Sequence, residues 1–401
     1  MVQNVEASDA HDRLLEPGAL ALVAIQYVLI AGSLSFQVFP LLVDGFVRLA
    51  HFDVQSAGLC ITAEMLGQSV GAAGGLALGR RVGNRHMVIA ALLLIIIGNG
   101  LTVGVYSSLR LLLAVRAVAG IGCGLTVVCI GLLAATKQAD RNFAVFNAAN
   151  LLSAAVLSAA VPTLFRTFGV GGVFAVIAAA ATLCLCMIPL IPDSYRGRTP
   201  QPGKASPSSV PFVPGALTCA MTVAYFVSLS MFWSYAGDVG ARHQMGVQAV
   251  SSAVAEAWLV GGLGGAIAAI LVAKRVPRMP IIIVCAIGGA ASTWAAIVVF
   301  NPVAFAIVLV GFVFFWNLLY PIQMGLFSQV DPTGRLAMLA WFVQLIACAI
   351  GPALGGYVLH VSSYNTMGVG CALGYLLFVC AALVLRPWQG RIRRATAEGR
   401  T

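Results

Sequence analysis

The sequence predicts an all-α integral membrane protein, with twelve transmembrane helices arranged as two pseudo-symmetric six-helix bundles. Three observations carry that expectation. Hydrophobic residues make up 60% of the 401-residue chain and charged residues only 9%, against about 25% charged in soluble domains. The apolar residues gather into twelve segments of roughly 20 residues or more, the length that crosses a bilayer at ~1.5 Å rise per residue. Several features of the first six segments then recur, in order, in the last six.

Residues 1–17 hold Glu6, Asp9, Asp12 and Glu16 with a single Arg. They lack the basic start of a signal peptide and read as a retained cytoplasmic N-terminal segment. The N-terminal bundle, 18–191, takes helices at about 18–43, 54–79, 87–106, 110–136, 142–165 and 171–191. Residues 192–213, PDSYRGRTPQPGKASPSSVPFV, interrupt the hydrophobic pattern with Pro, Ser, Gly and basic residues, the composition of a linker. The C-terminal bundle, 214–386, takes helices at about 214–236, 247–273, 281–300, 303–329, 336–360 and 366–386. A basic tail, 387–401, follows with Arg391, Arg393 and Arg394.

The formal net charge of +10 would suit a nucleic-acid partner, but the cations sit in short breaks between apolar segments, which is a topology signal. With the N-terminus inside, Arg48, Arg110, Arg166 and Arg242 fall on external segments and Arg116 within the membrane; every other Lys and Arg falls on a cytoplasmic segment. The expected placement is therefore a multi-pass protein of the cell membrane with both termini and the linker in the cytoplasm. No Walker-type loop is present, which argues against ATP-driven chemistry. The ten cysteines lie in apolar segments without a CxxC pair and read as small packing residues. No metal or other cofactor is expected.

The half-repeat is specific. Asp44 ends helix 1 and Asp238 ends helix 7. Glu64 in helix 2 and Glu256 in helix 8 are each followed by glycines, GQSVGAAGG and VGGLGG. The turn GRRVGNR returns in outline as AKRVPRM, and Asn150 and Gln344 each lie nine residues after an arginine. Such repeats place a binding site near the membrane midplane, between the two halves.

Two ionisable residues stand out. Arg116 lies in the fourth apolar segment, just before Gly120, Gly122 and Gly124, which leave room for a neighbouring helix. A guanidinium in lipid is costly and persists only where a partner, a solute or water meets it. Glu64 falls roughly 3 Å from the midplane and Arg116 roughly 10 Å towards the outside, so the arginine side chain spans the difference. Gly67, Gly71 and Gly74 put Glu64 on or beside a tightly packed face. The pair can carry a coupling proton, bind an anionic group, or be a permanent structural bridge. Glu256 occupies the matching place in the second half, which has no matching arginine.

Candidate solute-binding residues come from polar and aromatic positions on the same helices. Asn147, Asn150, Ala154 and Ser158 share a face of helix 5; Trp316, Tyr320 and Gln323 share one of helix 10, with Asn317 adjacent. Gln37, Tyr225, Trp233, Trp341 and Gln344 add to the set. Aromatic walls with a few polar groups suit an amphipathic organic solute, and ordinary helix packing uses the same residue types.

The chain resembles the major facilitator superfamily over essentially its whole length. Arg116, Gly120 and Gly122 match the family's RxxxGxG pattern in helix 4. Arg81, Gly83 and Arg85 match its gating turn after helix 2, with Arg80 at a position that is acidic in the family pattern. The antiporter signature of helix 5 is reduced to Pro162, while a GPALGG run stands in helix 11. The resemblance implies alternating access by two rocking bundles, powered by an ion gradient. The resulting expectation is a non-enzymatic, monomeric secondary transporter whose partners are a small organic solute, protons and lipid. It runs proton-coupled efflux or, alternatively, proton-coupled uptake of an organic acid; a non-transporting membrane sensor is the remote alternative.

Overall fold

The structure is a computed structural model that describes residues 17–79, 81–192, 212–330 and 335–397. Arg80, the segment before residue 17 and nearly all of the linker lie outside the described residues. Every regular element among the described residues is a helix. In order they are α1 (Ala19–Gln37), α2 (Phe39–Arg48), α3 (Val54–Leu78), α4 (Asn84–Val105), α5 (Leu109–Leu125), α6 (Val127–Ala134), α7 (Ala139–Phe168), α8 (Gly171–Leu185), α9 (Phe212–Arg242), α10 (Val247–Gly261), α11 (Leu263–Ala273), α12 (Arg278–Val298), α13 (Pro302–Val330), α14 (Arg335–Val361) and α15 (Tyr364–Ala397). A short 3-10 turn, Ile188–Leu190, follows α8.

Ten of the spans formed by these helices are long and apolar enough to cross a membrane. The other two of the twelve expected spans are α3, diluted by Gln55, Glu64 and Gln68, and α8, which is short. The fold is that of a twelve-helix membrane protein.

Three expected helices are interrupted, each for a visible reason. The first breaks at Val38, where Pro40 opens α2 and cannot donate to the preceding turn. The fourth breaks at Thr126, whose hydroxyl donates to the Cys123 carbonyl and competes with the helical ladder. The eighth breaks at Gly262, between α10 and α11. The sixth stops at Leu185 rather than 191, because Pro189 diverts the chain into the 3-10 turn. At the end of the chain, α15 runs on through Pro387 to Ala397, so the basic stretch begins as helix. Asp53 caps α3: its carboxylate accepts from the Ser56 amide and hydroxyl, which holds it below the usual carboxylate range.

Contacts divide the chain into two compact units. The first gathers residues 1–37, 63–154 and 163–201; the second gathers 38–62, 155–162 and 202–401. Inside the first, α4 packs on α5 and α8, and α1 packs on α8. Inside the second, α12 packs on α13 and α15, and α9 packs on α15. These are the same three pairings in corresponding helices, so the sequence repeat is also a packing repeat.

Glycines set the spacing in each unit. A Cβ on Gly120 would lie 2.0 Å from the Glu64 carbonyl oxygen, and one on Gly67 2.2 Å from that of Ala117. The α3 and α5 backbones are therefore in contact at Gly67 and Gly71, while Gly74, expected on the same packed face, meets nothing within 4 Å because it points away from α5. In the second unit a Cβ on Gly264 would lie 2.2 Å from the Phe314 carbonyl oxygen, where α11 meets α13 in the same way.

Candidate functional site

The close approach of α3 and α5 brings Glu64 and Arg116 together inside the first unit. Each is only 1% exposed. Arg116 Nη2 lies 2.7 Å from Glu64 Oε2, and Nε donates to the same oxygen at 3.2 Å. The remaining donors are also engaged. Nη1 donates to Asn99 Oδ1 at 3.0 Å and Thr102 Oγ1 at 3.3 Å, and Nη2 reaches Ser35 Oγ at 3.4 Å. The Phe174 ring lies under the guanidinium, 4.5 Å from its carbon to the ring centroid. The polar partners are themselves fixed: Asn99 Nδ2 donates to the Ile95 carbonyl and Thr102 to that of Gly98.

Five helices thus contribute to one closed charge site: α1 (Ser35), α3 (Glu64), α4 (Asn99, Thr102), α5 (Arg116) and α8 (Phe174). Apolar surroundings and planar donor geometry make this a site where losing either charge is expensive, because the survivor stays buried without a counter-charge. Asn99 and Thr102 were not singled out from the sequence. Their signal is two polar residues three apart in the otherwise apolar run AALLLIIIGNGLTVGV.

A second polar cluster sits in the same unit. Asn150 Oδ1 accepts from Gln37 Nε2 and from Ser33 Oγ, both at 2.7 Å, and links α7 to α1. The expected helix-5 stripe separates in depth: Asn147 is exposed, Asn150 half-buried and Ser158 fully buried.

In the second unit three tryptophans form a triangle. Trp233 lies 5.2 Å from Trp258 and 6.0 Å from Trp316, with 5.7 Å between the last two. Trp233 is buried and stacks on Phe312, and Trp316 is half-buried at the edge of the cluster. Tyr225 is buried against Tyr375 and Phe378. Tyr225 and Trp233, expected on a pocket wall, are core residues here, because α9 packs against α2, α14 and α15 at once. Tyr320, Asn317 and Gln344 are half-buried; Tyr320 meets the Gln344 side chain, and Asn317 Nδ2 donates to the Val313 carbonyl one turn back. Glu256, the counterpart of Glu64, is exposed, although Trp258 two residues on is buried. In the turn between α3 and α4, expected to gate, Gly83 precedes α4 in extended conformation and Arg81 is exposed. Arg85 is tied to the chain beyond α8 through the carbonyls of Ile191 (2.6 Å) and Pro189 (2.9 Å).

The same architecture occurs in known transporters. The chain aligns over 89% of its length, and 97% of the other, with a D-xylose-proton symporter at 16% identity and a TM-score of 0.70. The inward-open xylose transporter XylE from E. coli matches at 16% identity and 0.69, covering 90% of this chain and 95% of that one. The nucleoside transporter NupG matches at 11% identity and 0.74, covering 91% and 99%. At these identities the likeness is one of fold. No curated protein matches the chain in sequence. Residues 23–346 match the description of the Major Facilitator Superfamily. A twelve-helix membrane fold, a packing repeat and that match together make the chain a multi-pass transporter belonging to the major facilitator superfamily.

Proposed function

We propose that the protein is a proton-coupled exporter of a small amphipathic organic solute, embedded in the cell membrane with both termini in the cytoplasm. The observation that carries the proton coupling is the sealed Glu64–Arg116 pair at 2.7 Å, held by Ser35, Asn99 and Thr102. A proton on Glu64 removes one of the two charges, so it weakens the joint between α3 and α5 and loosens Arg116 from its partners. A helix joint biased by one proton is the bistable element that alternating access needs. Taken unit by unit, the candidate solute contacts are Asn150 in the first, oriented by the buried Gln37 and by Ser33, and Trp316, Asn317, Tyr320 and Gln344 in the second. That set offers aromatic faces and amide groups rather than fixed charge, which suits an amphipathic molecule.

The alternative, uptake of an organic acid, would use Arg116 as the anion's partner. Its burial over the Phe174 ring, with its donors on protein acceptors, argues against that role. The two differ in a direct test. In everted vesicles made acid inside, an exported solute drives protons out and restores the fluorescence of a ΔpH-quenched dye. An acid carried together with protons does not.

A further inference from the structure

Beyond the Glu64–Arg116 pair, the second unit holds another pair of buried acids, at the face opposite the termini. Asp44 on α2 is 2% exposed and Asp238 on α9 is 7% exposed. They occupy corresponding places in the two halves, and each is followed four residues later by an arginine: DGFVR at 44–48 and DVGAR at 238–242. The arginines are used differently. Arg48 Nε pairs with Asp44 Oδ1 at 2.6 Å. Arg242 instead lies over the Tyr364 ring, 4.7 Å from its centroid, while the Tyr364 hydroxyl donates to Asp238. Of the two buried carboxylates, one is directly paired with a cation and the other with a phenol hydroxyl.

The backbones they sit on are in contact. A Cβ on Gly237 would lie 2.1 Å from the Pro40 carbonyl oxygen and 3.3 Å from Asp44 Cβ. Beside this joint, Tyr235 donates to the carbonyls of Pro352 (2.8 Å) and Val54 (3.3 Å), and Thr62 donates to that of Ala349 (2.8 Å). The ends of the first two spans are thus tied to spans seven and eleven by a glycine contact and neutral hydrogen bonds. The acid pair is the part of this joint whose charge can change.

We propose that Asp44 and Asp238 form a pH-sensitive latch between α2 and α9, closed while the pair holds a proton and released when both carboxylates are ionised. The physical basis is the cost of charge in a dry contact, to which Asp238 adds repulsion at Asp44: a proton on the pair relieves that cost and full ionisation restores it. The groups facing the pair are Arg48 and, through the Tyr364 ring, Arg242, with the Tyr364 and Tyr235 hydroxyls nearby and Asp53 farther along. His243 turns away onto Phe300, with ring centroids 4.2 Å apart. Asp44 lies beyond the apolar stretch Ala19–Gln37, and burial, opposed by Arg48 and aided by Asp238, pushes it up to about 6. A raised value means that the contact favours the protonated acid. The latch is accordingly firmest below the ordinary carboxylate range and loses strength as pH rises from there through about 6. An acidic exterior would then hold this face shut. That reading rests on the proposed orientation, but the latch itself does not.

The test is a distance measured by pulsed electron spin resonance in full-length protein in nanodiscs, with spin labels at Leu49→Cys and Gln244→Cys in a background without native cysteines. One short distance population is expected at pH 5 and a second, longer one above pH 7, with the crossover near pH 6. Asp44→Asn and Asp238→Asn should each hold the short population at both pH values. A wild-type distribution unchanged between pH 5 and 8 would overturn the latch, as would a full transition in both Asn variants. Glu64→Gln should keep the transition; if that variant alone abolishes it, the trigger is Glu64 and the latch is wrong. A normal transition together with unaltered transport in Glu64→Gln would instead overturn the coupling reading and leave the latch standing.

Discussion

Glu64 and Glu256 occupy equivalent places in two halves built from the same plan, yet the chain treats them in opposite ways. Glu64 is sealed among five helices and paired at 2.7 Å with an arginine. Glu256 is exposed on α10, beside a helix face that buries Trp258. The first half has invested its polar packing in one charge pair, and the second has filled the corresponding region with a triangle of tryptophans. The difference teaches that the glycine seams common to both halves are scaffolding, and that the charge chemistry was placed on one of them. A carboxylate on such a seam is held as a buried charge pair only where a partner of opposite charge and a closed environment come with it.

The most damaging way to break this contrast is to remove the cation. Arg116→Ala should cost about 3–5 kcal/mol, because Glu64 would remain buried without a counter-charge. Arg116→Ala with Glu64→Gln should recover part of that loss, and thermal unfolding in detergent would read both. Arg116→Lys should be milder on stability but still impair transport, since an ammonium cannot serve the forked set of Glu64, Asn99, Thr102 and Ser35.

Next in size is the seam itself. Gly120→Ala on α5 pushes a methyl against the Glu64 carbonyl oxygen at 2.0 Å, whereas Gly74→Ala on α3 meets nothing within 4 Å. The first should lose about 1–3 kcal/mol; the second should be neutral or slightly stabilising, because alanine is the better helix former. Equal losses at both positions would show that the seam does not hold α3 against α5. The smallest effect is expected at the exposed carboxylate. Glu256→Gln should change stability by no more than about 0.5 kcal/mol and leave proton-driven flux near wild type. A large loss there would mean that the second half shares the coupling.

The helices themselves were legible because hydropathy and length are local properties of the chain. So was the α3–α5 seam: glycines at helical spacing state a close approach before any partner is known. Depth left the pairing of Glu64 with Arg116 as one of several open alternatives, and the structure shows it. What depth could not supply was the ring of Asn99, Thr102, Ser35 and Phe174, since each is unremarkable on its own helix and gains meaning only when five helices meet. The breaks at Val38, Thr126 and Gly262 were hidden for a related reason. Hydropathy runs straight through them, while Pro40 and the Thr126 hydroxyl act on the backbone. Tyr225 and Trp233 were read as wall residues because aromatic content does not reveal that α9 is packed on several sides.

The central claim is that Glu64 carries the proton that couples transport, and one paired measurement addresses it. Purified wild-type and Glu64→Gln protein would be reconstituted in proteoliposomes, and solute movement followed both under an imposed pH gradient and as counterflow without one. The account predicts that Glu64→Gln keeps counterflow, since a neutral amide mimics the protonated acid, and loses accumulation driven by the gradient. Full gradient-driven accumulation by Glu64→Gln would contradict it and leave the pair with Arg116 as a structural bridge.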